Sequence, residues 1–180
     1  MITKIIHMSS ATERTHLVER IVKLTGAEIF EAIVVEGNGR SGCRQSHETI
    51  YKTIKEGESL LLFEDDCVIN DESFLNFIEE NKNDYDLIYL GVNHVFLDKD
   101  NKPNRSFGTH SMWVSYNALQ IYLTHQTSIT EVDNIWNQVE QKYNLKVLRA
   151  KPINKYTVQC QGLKSYITGR PRGKVNPISW

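Results

Sequence analysis

Three consecutive acidic residues, Glu64, Asp65 and Asp66, directly follow the apolar run of residues 60–63. A continuous apolar run of this kind is typical of a strand that is covered on both faces. In open α/β sheets ligands bind at the carboxyl ends of the strands, so the acids are predicted to lie at a binding edge. In an extended segment Glu64 and Asp66 would point to one side and Asp65 to the other.

Carboxylates at such an edge suit a hard cation. Mg²⁺ and Mn²⁺ prefer oxygen ligands, and either ion would in turn hold a diphosphate. An exposed acidic turn that caps the next helix explains the same residues without any ligand. A metal-dependent phosphohydrolase or nucleotidyltransferase would also need acids here, with Asp84 and Asp86 as its second acidic pair.

Two short motifs add polar groups that could bind a ligand. In the first, Gly42-Cys43-x-x-Ser46-His47, the cysteine and the histidine have the i,i+4 spacing of a zinc-binding helix, but no clear second pair follows. Cys43 could equally be a small packing residue. In the second motif, residues 108–110, glycine allows a close backbone approach and histidine can hydrogen-bond a polar ligand. A turn glycine and an ordinary histidine are the alternative.

The elements that would position these residues alternate between strand and helix, which predicts an α/β fold with a mostly parallel sheet. Predicted strands cover residues 2–8, 29–35, 60–63, 87–90 and 107–114, and predicted helices cover 11–24, 43–56, 74–80, 118–122 and 132–143.

Length and composition favour one domain, residues 1–165, followed by a basic tail, residues 166–180. The 180-residue chain is 40% hydrophobic, which is enough for one core. Residues 141–180 contain nine Lys or Arg and no acid, so the net charge of −1 leaves −10 on residues 1–140. The basic segment offers counter-charge to phosphate, or is a solvated surface. Three scattered cysteines and no signal-like or membrane-spanning segment favour a cytoplasmic protein.

The order and spacing of these motifs resemble glycosyltransferase family 25, the lipopolysaccharide-biosynthesis type. The resemblance spans roughly residues 3–166 and includes G-C-x-x-S-H, the E-D-D strand end, Y-L-G at residues 89–91 and G-T-H. It implies a GT-A-type nucleotide-diphospho-sugar transferase fold, a mixed sheet flanked by helices. It also implies a divalent cation, usually Mn²⁺ with Mg²⁺ as the alternative, and inversion at the anomeric carbon.

The resemblance also implies roles in donor binding. Asp66 matches the direct metal ligand of a D-x-D-like motif, and Glu64 is placed as a ligand near the ribose or a bridging water. Asp65 would contact ribose or sugar hydroxyls, and Ser46 and His47 would bind the donor.

Residues Gly108, Thr109 and His110 are expected beside the donor sugar. The resemblance implies a third metal ligand, which in many GT-A enzymes is a histidine near the C-terminus. No histidine follows His125 in this chain, so His110 is the candidate. Gln159 or Gln161 could take its place.

On the acceptor side, Asp133 matches a general base and Glu131 is the alternative. An ordinary acid in the first turn of a helix would explain Asp133 equally well. The expected reaction moves a hexose from a UDP-sugar to a saccharide hydroxyl. A hydroxylated base of DNA is the alternative acceptor, because the basic tail could contact phosphates. A sugar-binding domain without turnover is a further alternative.

Overall fold

The computed structural model describes residues 1–100 and 103–160. The predicted tail, residues 166–180, and the possible ligand Gln161 lie outside the described residues. The strands are β1 (Ile2–His7), β2 (Glu28–Glu31), β3 (Ser59–Glu64), β4 (Cys67–Ile69), β5 (Leu87–Tyr89), β6 (His94–Leu97), β7 (Pro103–Phe107), β8 (Ser111–Ser115), β9 (Val147–Arg149) and β10 (Thr157–Gln159). The helices are α1 (Thr15–Thr25), α2 (Gly39–Tyr51), α3 (Phe74–Asn81), α4 (Tyr116–Thr124) and α5 (Val132–Tyr143).

Six strands form a mixed central sheet in the order β2-β1-β3-β8-β5-β9. Strand β1 is parallel to β2 and β3, and β5 is parallel to β9, whereas β8 is antiparallel to both its neighbours. Two small antiparallel pairs, β4 with β10 and β6 with β7, lie outside this sheet. The predicted mostly parallel α/β architecture is therefore confirmed.

Strand β3 is buried on both faces, as its apolar run predicts. Leu60 and Leu62 belong to a core cluster that includes residues of α2, α4 and α5. Leu61 and Phe63 face a second cluster that includes residues of α1 and α3. Each of these four side chains is fully buried. The two core clusters pack against both faces of β3, and the end of this buried strand positions the acids that follow.

Two predicted strands are wrong in extent. Strand β2 ends at Glu31, and residues 32–35 are irregular. The backbone N–H of Ile33 is held at 2.8 Å by Ser46 Oγ of α2, so it is not available for pairing in the sheet. The predicted strand 107–114 is two strands, β7 and β8, because Gly108 has a φ of 106° and begins a turn. A positive φ of this kind suits glycine and interrupts a strand.

The helices confirm most of the periodic segments. Helix α5 has the predicted bounds, Val132–Tyr143. Helix α2 begins before the predicted residue 43, because the side chain of Asn38 caps it by accepting a hydrogen bond of 3.1 Å from Ser41 N. The predicted helix 11–24 opens with a 3₁₀ turn, Thr12–Arg14, before α1. None of the helices in the described ranges combines the length and the apolar character needed to cross a bilayer.

Candidate active site

Two adjoining cavities lie beyond the C-terminal end of β3. The first, about 430 Å³, is lined by Ile6, Met8, Arg14, residues 32–39, Cys43, Ser46, His47 and the acids Glu64, Asp65 and Asp66. The second, about 240 Å³, is lined by Arg40, Cys43, Glu64, Asn93, Gly108, Thr109, Glu131, Val132, Asp133 and Gln159. Cys43 and Glu64 line both cavities, so the two spaces meet at these side chains.

The three acidic side chains do not alternate between two sides as the sequence predicted. All three acids line the first cavity, so Asp65 does not point away. The Arg14 guanidinium hydrogen-bonds Asp65 and lies 3.8 Å from the carboxylate of Asp66. The expected alternation fails because β3 ends at Glu64 and the next two residues form a turn.

Asp65 is bound mainly by groups of the protein itself. Besides Arg14, it contacts His7 Nδ1 at 3.1 Å and accepts a hydrogen bond of 3.2 Å from Met8 N. Burial alone would lower the pKa of Arg14, but Asp65 together with Asp66 and Glu13 raises it above its ordinary value. Arg14 therefore stays charged and compensates part of the negative charge at the end of β3.

Asp66 is almost completely buried, with 1% of its surface exposed. Gln159 Nε2 donates to its two oxygens at 3.3 and 3.2 Å, and Cys160 N donates to its backbone carbonyl at 2.7 Å. Gln159 ends β10, which pairs with β4 immediately after the acidic turn. This small sheet orients the Asp66 carboxylate.

Glu64 joins the acidic turn to the two motifs. Thr109 Oγ1 donates a hydrogen bond of 2.7 Å to Glu64 Oε1, and the backbone N–H of Glu64 donates to His110 O at 2.9 Å. His47 Nε2 lies 3.6 Å from Glu64 Oε1. The structure thus brings the carboxylate, the helical histidine and the glycine-containing turn together.

His47 and Ser46 lie side by side on α2 and are both buried. Burial lowers the pKa of His47 to about 4, against the opposing effects of its hydrogen bond to Cys43 O and the charge of Glu48. The imidazole is therefore neutral near pH 7. Ser46 Oγ donates to Gly42 O at 2.9 Å and accepts from Ile33 N, so it holds the loop that forms one wall of the first cavity.

Asp133 lies in the first turn of α5 and faces the second cavity. Burial raises the pKa of its carboxyl, and backbone hydrogen bonds from Asn134 and Gly108 offset part of this effect. Glu131, the alternative base, lines the same cavity but is paired with Arg40.

His110 is completely buried and lines neither cavity. The expected metal ligands Glu64, Asp66 and His110 do not form a three-ligand cluster within residues 1–100 and 103–160. In the same ranges, Cys43, His47 and Glu64 do form one. The sequence analysis did not identify His7, Arg40 and Asn93 as site residues, because none of them belongs to a recognisable motif. Only the fold places them at the site.

The sequence profile of glycosyltransferase family 25 (LPS biosynthesis protein) matches residues 36–167. The chain belongs to glycosyltransferase family 25. The match contains both motifs, the acidic turn and Asp133, so the two cavities are formed largely within the family's own region. No curated protein sequence matches this family 25 chain significantly.

Solved structures share the fold of this family 25 protein at low sequence identity. A197 from STIV superposes with a TM-score of 0.56 and 13% identity, covering 83% of this chain and 82% of that one. Drosophila beta-1,4-galactosyltransferase 7, in complex with manganese, UDP-Gal and xylobiose, gives 0.54 and 10%, covering 88% and 69%. A glycosyltransferase involved in glycosylation of the major capsid of PBCV-1 gives 0.50 and 13%, covering 84% and 83%. The GT-A fold is confirmed, and the protein is a glycosyltransferase.

Proposed function

We propose that this glycosyltransferase binds a nucleotide-sugar, favouring UDP-hexose, in the first cavity and transfers the sugar with inversion to an acceptor hydroxyl in the second. The observation that carries the proposal is the junction of the two cavities at Glu64, with Asp66 lining the first and Asp133 lining the second. A donor and an acceptor held on either side of this junction would meet there. Positioning of two reactants in this way is a major source of rate enhancement.

The first cavity suits a nucleoside diphosphate. Residues 32–35 and Ile6 supply apolar lining for the nucleoside, and the acids at residues 64–66 line the same cavity. Mn²⁺ or Mg²⁺ is commonly held by one or two carboxylates together with substrate phosphates, so Asp66 and Glu64 suffice as protein ligands. Once bound, the cation would neutralise charge on the departing diphosphate. The related Drosophila structure contains both manganese and UDP-Gal.

Asp133 is the proposed general base. Its carboxylate is held by backbone groups of Gly108 and Asn134 and faces the space where an acceptor hydroxyl would enter. As the acceptor oxygen bonds to the anomeric carbon, its proton passes to this carboxylate. Arg40 and Glu131, also in the second cavity, would orient the acceptor.

A saccharide is the preferred acceptor class. The second cavity presents the amides of Asn93 and Gln159, an ion pair and a carboxylate, which are groups that recognise sugar hydroxyls. The phosphohydrolase alternative is disfavoured by the position of its second acidic pair. Asp84 and Asp86 precede β5, which runs in the same direction as β3, so they lie at the edge of the sheet opposite Glu64.

A donor-hydrolysis screen over nucleotide-sugars with Mn²⁺ tests this function directly. The purified chain should hydrolyse one donor slowly and transfer its sugar when a saccharide is added. Asp66→Asn should lose Mn²⁺-dependent UDP affinity in a calorimetric titration, whereas Asp84→Asn, an exposed control at the opposite edge, should retain it. Unchanged Mn²⁺-dependent UDP affinity in Asp66→Asn would remove this residue as a ligand, and no reaction with any donor would contradict the function.

A further inference from the structure

Cys43, His47 and Glu64 form a compact group at the junction of the two cavities. One potential ligand atom from each residue lies within 4.8 Å of those of the other two. Helix α2 presents the cysteine and the histidine one turn apart, and Glu64 ends the neighbouring strand β3. The group therefore combines a thiol, an imidazole and a carboxylate on two rigid elements.

His47 is oriented as a metal ligand would be. Its Nδ1 lies 2.9 Å from Cys43 O, and because a carbonyl oxygen only accepts, Nδ1 carries the proton. The lone pair is then on Nε2, which is buried and has no hydrogen-bond partner among the described residues. A hydrogen bond on one ring nitrogen that directs the other toward a metal is the usual arrangement of ligating histidines.

The distance between the histidine and the carboxylate is close to that of a tetrahedral site. Nitrogen and oxygen ligands at about 2.0–2.1 Å from a tetrahedral zinc are roughly 3.4 Å apart. His47 Nε2 and Glu64 Oε1 are separated by 3.6 Å. The sulfur of the half-buried Cys43 lies 3.7 Å from His47 Nδ1, so this side chain has to turn toward Nε2 for the sulfur to take the third position.

We infer that Cys43, His47 and Glu64 bind a Zn²⁺ ion at the junction of the two cavities, in a site that shares Glu64 with the proposed Mn²⁺ site at Asp66. A thiolate and an imidazole select zinc over manganese and magnesium, which prefer oxygen. Three protein ligands leave the fourth tetrahedral position open toward the cavities. Binding releases the Cys43 thiol proton to solvent, because the thiolate is the ligand.

The shared Glu64 gives this site a consequence that rests on the proposed function. Glu64 is also a proposed ligand of the Mn²⁺–donor complex. When zinc binds Glu64, this carboxylate is no longer available to Mn²⁺, so low concentrations of Zn²⁺ should inhibit transfer. Zinc binding itself does not depend on that function, because it is measured on the metal-free protein without any donor.

The decisive experiment titrates the purified, metal-free full chain with Zn²⁺ against a chromophoric chelator, and with Co²⁺ as a spectroscopic probe. We expect one tight zinc site and a thiolate-to-cobalt charge-transfer band. Cys43→Ser should abolish the band, and His47→Gln and Glu64→Gln should each weaken zinc binding by roughly 100-fold or more, since loss of an outer-shell partner alone typically costs about 10–100-fold. Circular dichroism verifies folding of each variant.

Cys160→Ser is the matched control, because Cys160 is another half-buried thiol and does not belong to the cluster. It should keep both the stoichiometry and the cobalt band. The inference is overturned if the wild type binds no zinc tightly, if folded Cys43→Ser retains full affinity, or if the band is lost in Cys160→Ser instead. Absence of any glycosyl transfer would contradict the proposed function and leave the zinc measurement as it stands.

Discussion

The hydroxyl of Thr109 donates a hydrogen bond of 2.7 Å to the carboxylate of Glu64. This bond joins the glycine-containing turn before β8 to the end of β3, two segments that also share the backbone bond from Glu64 N to His110 O. The contact fixes one oxygen of the carboxylate that lines both cavities. Thr109, in the turn before β8, therefore helps to orient Glu64.

Thr109→Val should leave the fold intact and reduce Mn²⁺-dependent UDP affinity by about 5- to 10-fold, the equivalent of one hydrogen bond of about 1 kcal/mol. The substitution keeps the shape and removes the donor to Glu64. Thr109→Ser, which keeps the hydroxyl, is the control and should bind UDP nearly as the wild type does. Equal affinities of the valine and serine variants in calorimetry would show that this bond does not support the donor site.

Asp133→Asn should spare donor binding and lower the transfer rate by roughly 10²-fold or more, the scale of a positioned base. The base must be deprotonated and burial raises the pKa of Asp133, so wild-type transfer should fall as the pH decreases through a value above the ordinary range of aspartate. The asparagine variant should lack this acidic limb.

The pH profile of kcat for wild type and variant is the measurement, with UDP titration as the control for donor binding. Glu131→Gln is the comparison variant in the same cavity. If Glu131→Gln abolishes transfer while Asp133→Asn retains it, the roles of the two acids are reversed.

Gly42→Ala should disturb the wall of the first cavity. A Cβ at this position would lie 2.4 Å from Ile33 O and 3.2 Å from Val35 N, both backbone atoms that cannot rotate away. We expect a loss of about 1–3 kcal/mol in the free energy of unfolding, typical of overpacking, together with weaker nucleotide binding. Gln45→Ala on the exposed face of α2 is the control. Denaturant unfolding that is identical for both variants would show that the loop moves at no cost.

His47 should make the metal-free protein sensitive to acid. Its pKa is about 4 in the folded state against 6.5 in the unfolded state, so the unfolded state binds the proton more tightly. Its contribution to stability is complete above pH 6.5 and is lost as the pH falls toward 4. At pH 5 the loss amounts to about 2 kcal/mol.

The check compares urea unfolding of wild type and His47→Gln at pH 7.5 and pH 5, both with a chelator present. Carboxylates that titrate in this range are common to the two proteins and cancel in the comparison. The wild type should lose about 2 kcal/mol more than the variant between the two pH values. An equal loss in both would mean that the imidazole is not buried in its neutral form.

The sequence by itself determined the elements whose side-chain period is local. The apolar run 60–63 predicted a strand covered on both faces, and the periodicity of Val132–Tyr143 predicted α5 with its bounds. Both predictions succeed because the spacing of apolar residues shows which faces of an element are buried. The motifs likewise indicated the family that the profile then showed. The acids were expected at a strand end, and that is where they lie.

Only the tertiary structure decided which groups these acids contact. Asp65 is paired with Arg14 from 51 residues earlier, and Asp66 is bound by Gln159 from 93 residues later. Side chains alternate between two faces only within a strand. Because β3 ends at Glu64, the alternation predicted the wrong side for Asp65. In the same way, the i,i+4 pair of Cys43 and His47 acquired a third potential ligand only when the sheet brought Glu64 beside α2. Such contacts depend on how elements pack, which no local spacing encodes.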